Sequence, residues 1–262
     1  MNTPSLLRRP GKSLPASKHL LSTGFLVSLL VLWQILSLWV GRSFLLPSPL
    51  DVAASLWKNR TDIFTVHLPA TLRVVAAGGI LSVLLGALFA VTMDWSSRLR
   101  RALYPILTVS QTIPVMCIAP VLVLWFGYTD MMRIIVVILV NFFTVTVSLC
   151  DGFAATSPQR MELLQTYGAS RLQIFLLLRM PTALPYFFTA LHITVPWSVI
   201  GAAVAEWLGA PAGLGTYSRT CMMSLDAAGL LAPLVVLTAA ALLLNALLER
   251  VEAKALTWRD TD

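Results

Sequence analysis

Long apolar runs alternate with short polar segments from one end of this chain to the other. The runs cover residues 20–41, 74–93, 102–127, 131–150, 183–205 and 227–248. Each is close to the roughly 20 residues that an α-helix needs to cross the hydrocarbon of a bilayer. In lipid the backbone must satisfy its own hydrogen bonds, which leaves only helices and closed barrels. The period-two alternation of barrel strands is missing. The pattern predicts an all-α integral membrane protein with six transmembrane helices within residues 20–250. Tails 1–19 and 251–262 flank them, and a polar loop, 157–181, separates the fourth from the fifth.

Composition supports a bilayer as the solvent. The 262 residues are 57% hydrophobic and 12% charged, against about 25% charged in a soluble domain. In a soluble protein the net charge of +7 would suggest nucleic acid. In a membrane protein, cationic loops on one side give the same balance, so no nucleic-acid partner is implied. With the N-terminus inside, thirteen Lys and Arg lie inside and six outside: Arg42, Lys58, Arg60, Arg73, Arg133 and Arg219. That bias places both termini and the 157–181 loop in the cytoplasm. The first apolar run follows Arg8-Arg9 but holds 22 uncharged residues. It exceeds the roughly 7–15 of a signal peptide's apolar region, and no small-residue cleavage site follows, so it reads as a retained span. Cys117, Cys150 and Cys221 lack any CxxC spacing and read as small apolar residues.

The 157–181 loop carries local punctuation. Ser157-Pro158 is a helix start, Gln159 to Tyr167 provide about two turns, and Gly168 suits a left-handed stop. Ser170 can cap a second short helix through Leu178, which Pro181 then interrupts. Arg160 and Glu162 would be exposed, while Leu163, Leu164 and Tyr167 need a cover. The chain's own bundle, lipid headgroups or a soluble partner could each supply it.

Within the spans, Gly78, Ser82, Gly86 and Ala90 form a small-residue stripe suited to close helix packing. Pro105, Pro114 and Pro120 make the third span either a broken helix lining a pathway or a kinked packing helix. Gln111, Asn141, His192 and Trp197 are polar or aromatic groups at membrane depth, serving helix–helix hydrogen bonding or a solute pathway. Glu206 follows the fifth span. It is a pathway carboxylate for a cationic or hydrogen-bond-donating solute, an outer gate, or a structural ion-pair member. Trp33, Trp39, Trp95, Trp125, Trp207 and Trp258 lie towards segment ends, where interfacial belts form. No catalytic constellation or metal motif is present; His19, His67 and His192 are remote in sequence. A standalone secondary carrier is a reading from a different class, but the internal repeats such carriers often show are not evident.

The spacing of Glu162, Gly168 and then Leu178, Met180 and Pro181 resembles the EAA loop of permease subunits of binding-protein-dependent ABC importers. Leu163 and Leu164 replace that pattern's two alanines. Leu46-Pro47-Ser48-Pro49 with Val52, Gln111-Thr112-Ile113-Pro114 with Ala119-Pro120, and Trp125-Phe126-Gly127 are similar to segments of permeases for sulfonates, taurine, nitrate and thiamine precursors. Glu206-Trp207-Leu208-Gly209 and Gly213-Leu214-Gly215-Thr216-Tyr217 are most similar to permeases for the thiamine-precursor pyrimidine. The resemblance implies a type I importer fold in a bacterial inner membrane and a homodimeric pore. It implies partnership with cytoplasmic ATPase subunits and a substrate-binding protein. No cofactor is implied. Arg160, Glu162, Leu163, Leu164, Tyr167, Gly168, Ala169 and Pro181 would form the ATPase-coupling surface. The pathway candidates are Gln111, Pro114, Asn141, His192, Trp197 and Glu206, and the expected cargo is a pyrimidine or, alternatively, a sulfonate, taurine, nitrate or a riboflavin-like compound. The chain contains no GxxxxGK[ST] phosphate loop, so ATP hydrolysis would belong to another subunit.

Overall fold

The computed structural model describes residues 16–257. Arg8, Arg9, Lys12 and Arg259 of the charge count, and Trp258, lie outside the described residues. Helix α1 (Ala16–Val40) turns at Gly41, whose φ is +63°. The Ser37 hydroxyl donates to the Leu46 carbonyl at 2.8 Å. Helix α2 (Pro49–Lys58) starts at a capping box: the Ser48 hydroxyl accepts the Asp51 N–H at 3.1 Å, and the Asp51 carboxylate accepts the Ser48 N–H at 2.9 Å. Pro49 stands at the first helical position, where a missing N–H costs nothing. The Leu-Pro-Ser-Pro signature is thus a turn followed by a helix cap, and Val52 is buried beneath it.

Helix α3 (Arg60–Trp95) begins with a π-turn at Ile63–His67. Helices α4 (Ser97–Ser110) and α5 (Val115–Phe126) form a pair bent by 97°. The break falls at Gln111–Pro114, because proline lacks an N–H and pushes the residue before it out of helical conformation. Pro105 and Pro120 remain inside their helices. Helix α6 (Asp130–Ala154) is followed by the short α7 (Pro158–Thr166). Helix α8 (Arg171–Trp207) runs unbroken for 37 residues. The expected interruption at Pro181 does not occur. A π-turn over Phe175–Arg179 pairs the Met180 N–H with the Phe175 carbonyl, shifting the hydrogen-bond register ahead of the proline. Helices α9 (Leu214–Met223) and α10 (Ala227–Ala255) complete the fold. Among the described residues, five helices are long and apolar enough to cross a membrane, and six passages result if the bent pair counts as one.

The centre is the packing of α6 against α3 and α8. The small-residue stripe makes it possible. A Cβ on Gly78 would lie 2.6 Å from Val137 Cβ, and one on Gly86 would lie 2.8 Å from Val145 Cβ. Near the far end of α6, a Cβ on Gly152 would lie 2.8 Å from Ala183 Cα. Lipid provides no hydrophobic drive between helices, so close backbone approach supplies the attraction.

Candidate functional site

A cavity of about 670 Å³ opens at the α4–α5 break. Ser110, Gln111, Ile113 and Pro114 form its bent wall, Val136, Val140, Phe143 and Thr144 of α6 a second, and Trp197, Ile200, Gly201 and Val204 of α8 a third. Its polar side-chain groups are the Gln111 amide, the Ser110 and Thr144 hydroxyls and the Trp197 indole N–H, and none of the sixteen lining residues is charged. Of the pathway candidates, Gln111, Pro114 and Trp197 converge here. Phe143, Thr144 and Gly201 were not anticipated. Positions 136, 140, 143 and 144, and 197, 200, 201 and 204, each have the spacing of one helical face. In spans apolar all round, that face has no contrast with its surroundings.

The other three candidates lie elsewhere. Asn141 is fully buried and donates to the Ser198 hydroxyl at 2.8 Å and the Val137 carbonyl at 3.0 Å, pinning α6 to α8. His192 joins α8 to α10, with Nε2 2.7 Å from Glu252 and Nδ1 3.3 Å from Asn245. Glu206 is fully buried at the end of α8 and accepts the Gly215 N–H at 2.8 Å. A carboxylate there satisfies a free donor of α9's first turn and complements the helix dipole. Around it the Leu214 N–H donates to Thr71 Oγ1 at 2.9 Å, His67 Nδ1 lies 2.9 Å from the Gly213 carbonyl, and Arg133 reaches the Ala212 carbonyl at 3.4 Å while pairing with Asp130. A Cβ at Gly213 would overlap the Glu206 carboxyl, and one at Gly215 would overlap the Ala203 carbonyl. Both glycines are needed for this approach. The geometry makes Glu206 a tie between α8 and α9, and it is not among the residues that line the cavity.

At the opposite end of α8 stands the α7 elbow. The Ala169 N–H donates to the Leu164 carbonyl at 3.0 Å and the Gly168 N–H to the Gln165 carbonyl at 2.9 Å, with Gly168 at φ +78°. This is a Schellman stop, which only a residue tolerant of left-handed backbone allows. Ser170 then starts α8 with a capping box to Gln173. Ser157 occupies the cap position of α7, but its hydroxyl turns to Gln159 and caps nothing. Arg160, Glu162, Leu163, Tyr167 and Pro181 are exposed, with Tyr167 79% accessible; Leu164 and Ala169 are half-buried. Two well-formed caps thus present an elbow on which Leu163 and Tyr167 stand exposed.

Residues 82–254 match the family of binding-protein-dependent transport system inner membrane components, and the chain belongs to that family. It is 43% identical to the formylaminopyrimidine transport permease protein ThiX of Halalkalibacterium halodurans, over 90% of this chain and 95% of the relative. It is 29% identical to the riboflavin transport system permease protein RibX of Chloroflexus aurantiacus, over 86% of each chain. To the taurine transport system permease protein TauC of Escherichia coli it is 29% identical, over 93% of this chain and 92% of the relative. Its fold is shared with an inward-facing structure of the MetNI methionine ABC transporter, with TM-score 0.57 and 20% identity over 78% of this chain and 95% of that one. The chain is therefore the multi-pass inner-membrane permease subunit of an ABC importer. ATP hydrolysis resides in a separate subunit, and a binding protein is a further partner.

Proposed function

We propose that this permease imports a thiamine-precursor pyrimidine through a pore built by two copies of the chain. The cavity carries the reading. Its aromatic walls, one amide and two hydroxyls suit a small neutral heteroaromatic ring, which stacks and hydrogen-bonds without needing a counter-charge. A sulfonate, taurine or nitrate would have to shed water beside apolar walls that hold no cation, at a heavy desolvation cost. The 43% identity to a formylaminopyrimidine permease points the same way. A homodimer follows from size: one chain offers one elbow of the α7 type, and a paired ATPase needs two.

In this reading α7, with Arg160, Glu162, Leu163, Leu164, Tyr167, Gly168, Ala169 and Pro181 around it, faces the cytoplasm and docks in a groove of the ATPase. Both termini lie on that side, as the distribution of Lys and Arg favours. ATP drives transport by binding one conformation of the assembly better than the other. The deciding experiment reconstitutes permease, ATPase and binding protein in proteoliposomes and follows ATP-dependent uptake of a labelled aminopyrimidine. Uptake competed by unlabelled pyrimidine but not by taurine or nitrate is expected, and Trp197→Ala should depress it. Calorimetry showing that the partner binding protein ignores pyrimidines and takes sulfonates would overturn the substrate. Uptake by the purified permease without ATP would indicate a standalone carrier.

A further inference from the structure

Among the described residues, helix α7 packs broadly on no other helix. Its ends are tied by chain continuity, to α6 through residues 155–157 and to α8 through the Gly168 stop. Among the described residues, one polar side-chain contact reaches it from another helix: Arg179 Nη2 lies 3.6 Å from Met161 Sδ. The other arm of the same guanidinium pairs through Nη1 with the carboxylate of Asp94 near the end of α3. That pair is withdrawn from water, with side chains 25% and 7% exposed for Arg179 and Asp94. Arg179 closes the π-turn of α8, and π-turns inside helices frequently mark functional positions. Phe175 opens that turn, with its ring 6.3 Å from Trp95 of α3 and 5.6 Å from Phe153 of α6.

We propose that Asp94 and Arg179 form the pivot by which a displacement of α7 is delivered to the cavity. The two arms of Arg179 differ in strength. The arm to Asp94 is charge-assisted and shielded, whereas the arm to a thioether is weak. When α7 moves, the guanidinium stays with α3 and the sulfur contact yields, so α8 turns about a fixed point. Beyond that point α8 is one continuous helix to Trp197, Ile200 and Val204 in the cavity wall. Asp94 and Arg179 touch neither cargo nor ATP and act as positioning residues. Nothing in the sequence pairs them, since 85 residues separate them.

This inference rests on α7 being the ATPase-docking helix, and its test separates the two. The complete reconstituted assembly is compared for wild type, Arg179→Gln, Asp94→Asn, the double reversal Asp94→Arg with Arg179→Asp, Arg179→Lys and Met161→Ala. Capture of the ATPase by the permease, hydrolysis with and without loaded binding protein, and cargo moved per ATP are measured. Arg179→Gln should capture the ATPase and sustain basal hydrolysis, while stimulation by loaded binding protein falls about tenfold, the scale of a coupling between sites. The double reversal should restore most of that stimulation, a rescue that loss of packing alone would not give. Should Arg179→Gln fail to accumulate in membranes, Arg179→Lys decides, with about threefold weaker stimulation expected, while Met161→Ala, whose contact yields in the motion, should be stimulated as wild type. Wild-type stimulation and cargo per ATP in Arg179→Gln and Asp94→Asn, or in Arg179→Lys where it decides, would overturn the pivot alone. If the wild-type permease captured no ATPase through α7, the docking reading would fall and the pivot with it.

Discussion

The two ends of α8 are built on opposite principles. At the Glu206 end, buried polar groups turn inward to partners within the chain: Oε2 of the carboxylate meets the Gly215 N–H, Thr71 meets the Leu214 N–H, and His67 meets Gly213, while Glu206 Oε1 is buried without a partner among the described residues. A Cβ on either Gly213 or Gly215 would overlap a neighbour. At the Gly168 end, by contrast, a Cβ would meet nothing within 4 Å, and Leu163 and Tyr167 are 55% and 79% exposed. One end is a packed interior. The other is locally well formed but globally incomplete, the arrangement of a surface that meets a partner. A glycine therefore has different meanings at the two ends. At Gly213 it permits contact, and at Gly168 it permits only a backbone turn.

Substitutions can break that contrast. Gly213→Val should have the largest effect, because φ is +138° and the carboxyl of Glu206 already occupies the space. Overpacking and backbone strain together should cost on the order of 4 kcal/mol, read as loss of a monodisperse peak after detergent extraction. Glu206→Ala comes next, since it leaves the buried Gly215 N–H unpaired at a cost of about 1–3 kcal/mol. Glu206→Gln retains an acceptor and should unfold at a temperature closer to wild type. Equal destabilisation by both would argue that charge, rather than the hydrogen bond, holds α9.

At the other end Gly168→Val should cost about 1–2 kcal/mol for left-handed backbone, insert normally, and lose ATPase capture in a pull-down. Glu162→Lys should leave thermal unfolding unchanged and weaken the same capture. Normal capture by both variants would remove the functional half of the comparison. The smallest change belongs to α2, away from both ends. Ser48→Ala should cost about 1 kcal/mol through loss of the cap. The Ser48 N–H, and then its hydroxyl, hold the Asp51 carboxyl below its ordinary value. A lowered pKa means that the Asp51 carboxylate's contribution is fully present above its unfolded pKa and is lost as pH falls through the folded one. The gap in unfolding temperature between wild type and Ser48→Ala should therefore narrow in acid without closing, because the Ser48 hydroxyl still accepts the Asp51 N–H.

Local signals were legible wherever a residue type answers a local backbone need. Gly168 and Ser170 ended one helix and began the next as their chemistry requires, and Pro114 broke the third span. Pro181 misled, because a proline marks a break only if the hydrogen-bond register cannot shift before it, and the π-turn at 175–179 shifts it. Among the polar groups at membrane depth, sequence offered no means of sorting Trp197, which lines the cavity, from Asn141 and His192, which join helices. Each is a polar or aromatic residue on an apolar helix, and only the neighbouring helix decides its role.

The amino-acid sequence alone determined the all-helical membrane class, the elbow and its caps, and the family. Those depend on hydropathy over about 20 residues and on hydrogen bonds between residues a few positions apart. Tertiary structure alone decided that Glu206 caps α9, that Phe143 and Thr144 face Trp197, and that Asp94 holds Arg179. Each of these joins separate helices. In spans apolar all round, lipid-facing and buried faces read alike, so the facing partner becomes visible only when the helices are assembled.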